Sequence, residues 1–548
     1  MNQKTILWPP ILKNTCSALC IGMCIAFVWP TPSTAQQNQT AVKDASGTSD
    51  IINESETSIS HNEGKANWTN STPSLLVPTY LGNDKRRFYG RGTPVNLELE
   101  GKFNLGKGQT RVRDTIKTWA GAGWTSQPSI IRDDNEVYLI TGSNDHHLRK
   151  IRLRDLKEIW KYQFPDVIKG SPTVFINEKG SDENRVIILQ GSRRGINSYG
   201  PAAAGKPVNS FKAISFRTGR HLWDLDVTKT ASFSRDNDSS ALYLGGNRFF
   251  NASENSIGYF VKVTSDTTKV KKGAPAFAIE GSVKLFNDDD IRRHGGNIVA
   301  EASPSKIGNT IYLPCGSGHI FGIDIPTRKI VWDFPTGSDM DGSAIITKSE
   351  KLICSIEKEF IVGKGGLIML DPTRPPAESV IWFLPTENRN FASWQGGIIG
   401  SASVNDEYNG NQFPRLFATA AIDGFLYIGS QTVLSGEKAP GPDGKTIYPL
   451  PRVVARIKIG PSISTPVFTD GNMLVAAGYS GVRLFSIEYK ATGSGDKDAL
   501  PGDDGKFYKV SLTQKASFKT STSFESTPVI HDGRVIISSK DGYLYVLK

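Results

Sequence analysis

Eight side chains have the types from which a polar site could be built: the acids Glu301, Asp341, Glu357 and Glu525, the cations Lys169 and Arg389, and His319 and Trp394. A pair of carboxyls can give and take a proton. An arginine offers a planar fork to a carboxylate or phosphate, and an indole offers a stacking face. These residues lie far apart in the chain. They are selected because they fall at equivalent places in a repeat, described below. The plainer reading is that the acids cap strand ends and Trp394 packs. The expectation is a ligand-binding mouth with no catalytic group assigned.

Other chemistry is poorly represented. There is no GxSxG, HExxH or P-loop pattern. His146 and His147 are adjacent, and neighbours on a strand point to opposite faces, which disfavours joint metal ligation. "HGGN" at His294 has no second ligand at metal spacing. The acidic runs "NDDD" (Asn287 to Asp290) and "RDNDSS" (Arg235 to Ser240) lack the alternate-position spacing and late glutamate of a calcium loop. No metal site is assigned. Cys-x-x-Cys-His is absent, so covalent haem is excluded.

The elements that must position the eight residues form a repeat. "STPVFTDGNMLVAAGYSGVRLFSI" (Ser464 to Ile487) recurs as "ASPSKIGNTIYLPCGSGHIFGIDIPTRKIVW" (Ala302 to Trp332) and "SQPSIIRDDNEVYLITGSNDHHLRKIRLRDLKEIW" (Ser126 to Trp160). Further copies start at Gly170, Asp341 and Gly400, a weak one at Ser239, and a last one at Ser526. Each opens with a small residue, often before Pro. Alternating strands follow, then a Gly-containing hairpin turn, a "TG" or "TR" turn and a strand bearing Trp. Period-2 alternation bounded by Gly and Asp marks antiparallel strands. Four strands per unit, repeated eight times, predict an all-β, eight-bladed β-propeller of four-stranded antiparallel blades. The Trp is read as a wedge between blades.

Ser-Pro, the "IY" or "VY" strand, the Gly turn, the "LD" strand, "TG" and Trp resemble the PQQ-like repeat of quinoprotein alcohol dehydrogenase-like propellers, over residues 110–548. That family includes PQQ-dependent dehydrogenases, outer-membrane assembly scaffolds and exported proteins of unknown role. The resemblance admits PQQ with calcium as a cofactor, with Asp341 and Glu301 as base and calcium carboxylates. The alcohol-dehydrogenase branch uses an adjacent Cys-Cys pair, which this chain lacks. The assembly scaffolds carry a lipid anchor, for which the pattern is also missing.

Aligning the units places Thr125, Lys169, Glu301, Asp341, Ile399, Ile463 and Glu525 two positions before the opening residue, at one face of the ring. The hairpin turns add Asp145, Arg193, Arg194, His319, Asp423, Tyr479, Lys540 and Asp541. Unit five widens its turn to "IEKEFIVGKGG", bringing Glu357 and Glu359, and its link to unit six carries Arg389, Trp394 and Gln395. Cys315 and Cys354 fall at near-equivalent second-strand positions of neighbouring, splayed blades. A disulfide needs Cα atoms within about 7 Å, so two buried thiols are expected.

The last unit, from Ser526, has three strands and no Trp-bearing fourth. Ile116 to Trp119 looks like an orphan fourth strand, so an N-terminal strand should complete the C-terminal blade and close the ring. Free strand edges invite misassembly. Residues 76–110 are read as an extension packed on the outside or one face of the ring.

Residues 1–35 read as a Sec-type signal peptide: Lys4 and Lys13, the apolar run Cys16 to Trp29, then Ser33-x-Ala35 for cleavage after Ala35. The run is short of the roughly 20 residues of a transmembrane helix. The alternatives are an uncleaved anchor, or lipid attachment at Cys20 or Cys24, whose surroundings "SALC" and "IGMC" depart from a lipobox. Residues 36–75 are polar and read as a disordered spacer. Net charge is +10, or +8 without the two leader lysines, and the cations are scattered, which does not favour nucleic acid. The chain is expected to be a periplasmic or secreted, monomeric repeat protein. It would act as a non-catalytic binding scaffold at the cell envelope for an envelope protein, a small polar ligand or a saccharide. The alternative is a PQQ-dependent dehydrogenase for an alcohol or sugar.

Overall fold

The computed structural model describes residues 73–548, apart from 179, 181, 199–205, 265–275 and 387–395. The proposed signal peptide and nearly all of the spacer lie outside the described residues. Among those residues, no helix is long and apolar enough to cross a membrane.

Among the described residues, strand pairing yields eight sheets of at least four strands, each built on a four-stranded antiparallel blade and arranged as an eight-bladed propeller. Blade 1 uses Ser129–Asp133, Glu136–Gly142, His147–Arg152 and Lys157–Gln163. Blade 4 uses Ser305–Ile307, Thr310–Cys315, His319–Asp324 and Lys329–Pro335. The apolar positions of the middle strands are buried on both faces, because each blade packs between two others.

The small opening residue has a physical reason. The N–H of Ser240 donates to Ser303 Oγ, that of Ser303 to Ser343 Oγ, that of Ser343 to Ser401 Oγ, and that of Ser401 to Thr465 Oγ1, each at 2.9 Å. Each buried amide is thus satisfied by the hydroxyl of the next blade, and a larger side chain would not fit this belt. The Trp also joins blades. Trp160 Nε1 donates to Phe216 O (3.0 Å), Trp332 Nε1 to Arg374 O (3.0 Å) and Trp382 Nε1 to Gln431 O (3.2 Å). Gly219 of a "TG" turn has φ 72°, and a Cβ there would meet the Trp160 ring.

The ring closes through the N-terminus, but through a different strand from the one expected. Leu99–Asn104 pairs antiparallel with Tyr543–Leu547 and completes blade 8. Thr115–Ala120 instead forms a separate hairpin with Lys107–Val112. Leu99–Asn104 buries little of either face, so no apolar alternation marks it in the sequence. Trp119 in the hairpin imitates the Trp of outer strands.

The preceding segment also departs from expectation, since it fills the channel. Ser74–Val77 pairs with the inner strand of blade 1, and Gly90–Arg91 with the inner strand of blade 8. Between them the chain touches the other six blades. Val174 N donates to Pro78 O (2.8 Å), Lys306 N to Asp84 O (2.9 Å), Ile346 N to Lys85 O (3.0 Å) and Val404 N to Tyr89 OH (3.0 Å). Tyr80 OH meets Thr465 Oγ1 at 3.0 Å, and Arg86 Nη2 donates to Ser240 O at 3.3 Å. The plug lies beyond the starts of the inner strands and closes that end of the channel.

Candidate functional site

The opposite end opens into a cavity of about 560 Å³. Lys169, Glu301, Asp341, Glu357 and Glu525 line it, as do Arg193, Arg194, Glu359, Ile399, Ile463, Tyr479 and Lys540. Each precedes an inner strand or follows a second strand, so the propeller geometry converges them. Arg389 and Trp394 lie outside the described residues. His319 is not among the lining residues. Its Nδ1–H donates to Asp333 (2.7 Å) and its Nε2–H to Asp290 (3.1 Å), and these carboxylates raise its pKa against the opposing effect of burial. It clamps the helix Asp288–His294 to blade 4. The "NDDD" run is the start of that helix, with Asn287 and Asp290 forming a capping box.

Lys169 is the centre of one cluster. Its ammonium contacts Asp238 and lies 3.4 Å from Glu301 Oε1 and 3.8 Å from Glu254 Oε1. Burial opposes its charge, but the three carboxylates hold its pKa well above the usual lysine value. Asp238 and Glu254 were missed from sequence because blade 3 is the weakest copy. Asp238 stands two positions before Ser240, at the same register as Glu301 and Asp341.

The second cluster is acidic. Glu301 hydrogen-bonds Asp341, which hydrogen-bonds Glu357, and Asp339 lies beside them. Two carboxylates share a hydrogen bond only if one holds a proton. Burial first, and the neighbouring carboxylates second, push Glu301, Asp341 and Glu357 well above the ordinary carboxyl range. Glu357 is placed by the widened turn of blade 5. Its residue bridges to Gly397, and Gly363 N donates to Pro442 O (2.9 Å) of a long hairpin from blade 6. Asn297 Nδ2 donates to Asp339 Oδ2 (3.0 Å).

Two groups have carboxylate oxygens within 4.8 Å of one another, as a metal ion would need: Asp238, Glu254 and Glu301, and Asp339, Asp341 and Glu357. The first already surrounds the Lys169 ammonium, which neutralises it. The second, all oxygen, has the donor chemistry of a hard cation such as calcium. Cys315 and Cys354 are free, buried thiols.

The hairpin 107–120 roofs one side. Arg193 Nη1 donates to Thr110 Oγ1 and Arg111 O, both at 2.8 Å, and its Nε donates to Asp236 (2.7 Å). Arg193 and Lys540 stand 5.5 and 5.8 Å from the Trp119 ring. Asn144 Nδ2 donates to Ala120 O (2.9 Å). Blades 2, 8 and 1 therefore fasten the hairpin, and its Arg111, Arg113, Asp114 and Trp119 enter the cavity lining. Sequence reasoning assigned it to a blade and so missed these residues.

No protein-family model and no curated protein matches this chain. Solved structures do. BamB from Moraxella catarrhalis is 14% identical, covering 82% of this chain and 99% of that one, with a TM-score of 0.46. Quinohemoprotein alcohol dehydrogenase from Comamonas testosteroni is 14% identical over 86% and 80%, with a TM-score of 0.49. The Dos1 propeller is 12% identical over 82% and 95%, with a TM-score of 0.49. At these values the likeness concerns fold alone and adds nothing to the eight-bladed ring that strand pairing establishes.

Proposed function

We propose that this chain is an exported, non-catalytic binding propeller of the cell envelope, whose mouth receives a small polar ligand. The observation that carries the reading is the cavity itself: about 560 Å³, lined by charged groups from most blades and closed below by the plug. A blind, polar pocket with a few aromatic faces has the character of a ligand site. The export part rests on the leader, residues 1–35. The test is a panel of saccharides, amines and carboxylates screened by calorimetry against the protein and its Glu301→Gln, Asp341→Asn double variant. Binding that survives unchanged in the variant removes the mouth as the site. Mass spectrometry of the exported protein should find Gln36 at its N-terminus.

A second reading, a PQQ-dependent dehydrogenase, is favoured by the oxygen set of Asp339, Asp341 and Glu357. These residues would hold calcium, and Arg111 and Arg113 would face the carboxylates of the quinone. Incubation with PQQ and calcium, followed by the absorbance of bound quinone, separates the two readings.

A further inference from the structure

Two neighbouring blades share a patch of exposed cations that no carboxylate pairs, and we propose that this patch binds an anionic polysaccharide. It lies on the fourth strands of blades 6 and 7, Ile447–Lys458 and Phe507–Phe518, and the inference is independent of what the mouth receives.

Fourth strands elsewhere carry carboxylates that take up their cations. Glu158 pairs with Arg149 (3.0 Å), Asp224 with Lys212 (2.7 Å), Glu280 with Arg248 (2.9 Å) and Glu100 with Arg534 (2.7 Å), on blades 1, 2, 3 and 8. Blades 6 and 7 break this rule. The sequence has no Asp or Glu from Gly444 to Thr469, nor from Gly505 to Phe524, and these stretches contain both fourth strands. Arg456, Lys458, Lys515 and Lys519 are exposed, and with Arg483 they form no ion pair among the described residues.

The fold brings the five together. Both strands run towards the mouth, since Ile463 and Glu525, which follow them, line the cavity. Arg483 of blade 7 spans the gap between the blades. Its Nη1 donates to Gln514 Oε1 (3.2 Å), beside Lys515, and its Nη2 to Ile459 O (3.5 Å), beside Lys458. Lys519 packs over Gly481, two residues from Arg483, where a Cβ would stand 2.8 Å from its Cγ. Arg456 stacks 3.6 Å from the centre of the Phe425 ring, and its Nε donates to Tyr427 OH (3.2 Å). The acid at this corner, Asp423, is engaged by the Tyr427 hydroxyl (2.6 Å).

Exposed cations without counterparts set up a positive potential that recruits a polyanion. The surface around them selects the class. Stable attachment to a membrane takes an inserted apolar group beside the charges, and a protein interface is anchored by buried aromatic side chains. Among the described residues, no large apolar side chain is exposed from Tyr448 to Lys548. Between the cations stand Thr513, Gln514 and Ser517, all exposed. Their hydroxyl and amide groups donate and accept, as sugar hydroxyls require. The guanidinium of Arg456 offers its fork to the acid groups of the chain.

The test uses calorimetry on the full chain with polygalacturonate, heparin, neutral dextran, polyglutamate and phosphatidylglycerol vesicles. At least one of polygalacturonate and heparin, the carboxylate and sulfate cases, should bind at low salt, and dextran should not. Binding should vanish in about 1 M salt, where the screening length falls to about 3 Å. The triple variant Lys458→Ala, Lys515→Ala, Lys519→Ala should melt as the parent does and lose about tenfold or more in affinity. Lys157→Ala, Lys262→Ala, Lys329→Ala removes the same charge from exposed sites on blades 1, 3 and 4, and should retain the parent affinity. Binding of neither acidic polysaccharide, or an equal loss in the two triple variants, overturns the inference. So does polyglutamate or vesicle binding as tight as that of the polysaccharide.

Discussion

The two ends of the channel each hold a cation, and they treat it differently. At the closed end Arg86 is 0% exposed. Its hydrogen bonds go to neutral oxygens: Tyr80 O (2.7 Å), Thr79 Oγ1 (2.9 Å), Pro304 O (2.9 Å) and Ser240 O (3.3 Å). Burial lowers its pKa to about 10, with Asp84 opposing the shift. At the open end Lys169 is ringed by carboxylates, and its pKa is raised. Arg86 stitches blades 3 and 4 to the plug with saturated, directional bonds. The Lys169 cluster leaves neighbouring acids that share protons. One end is a completed structural joint, and the other keeps unsettled charge facing a cavity.

The largest effect should come from breaking the joint. Arg86→Ala leaves several buried acceptors without donors and should cost about 3–5 kcal/mol. Denaturant unfolding reads this directly. A loss below about 1 kcal/mol would show that the plug is not structurally coupled to the ring.

Lys169→Met should cost less, about 2 kcal/mol at pH 7, because the stranded carboxylates can take up protons instead of staying charged. The cost should shrink by pH 5, where protonation is easier. Melting curves at the two values measure it, and a pH-independent loss would mean that packing, not charge, is what Lys169 supplies.

The smallest effect has the opposite sign. Glu301, Asp341 and Glu357 have folded-state pKa values above their unfolded values. The native state then holds protons that the unfolded chain has released, so stability falls as pH rises from about 4 upward through the folded values. Asp341→Asn removes one such group. It should stabilise the protein at pH 7 by about 1 kcal/mol and flatten the pH slope. Destabilisation by Asp341→Asn would make the ladder a structural joint like Arg86 and erase the contrast between the ends.

Much of the site was legible because it is written in register. Glu301 and Asp341 stand at one place in successive repeats, and Glu357 stands in a turn visibly longer than its equivalents. Asp339 and Asn297 gave no such signal, as nothing in their local sequence says that a neighbouring blade's acids converge on them. His319 occupies a turn position of the correct kind, yet the helix at Asp288–His294 captures it with Asp290. Helix capping is a local device, but its contact with a turn in the next blade is not.

The blades are encoded locally, because alternation, Gly turns and Trp wedges act over a few residues and each repeat restates them. The repeat pattern also pointed to an N-terminal strand as the closure of the ring, and the pairing of Leu99–Asn104 with Tyr543–Leu547 supplies it. Which strand closes the ring, the filling of the channel by residues 74–91 and the roofing of the mouth by the hairpin 107–120 emerge only in three dimensions. Strand closure rests on backbone hydrogen bonds, which any sequence can offer, and the plug adds the side chains of Tyr80, Arg86 and Tyr89 to such bonds. The partners are remote in the chain, Phe103 pairing with Leu544 and Pro78 accepting from Val174 N. Local pattern carries no record of a choice made by matching edges so far apart in the chain.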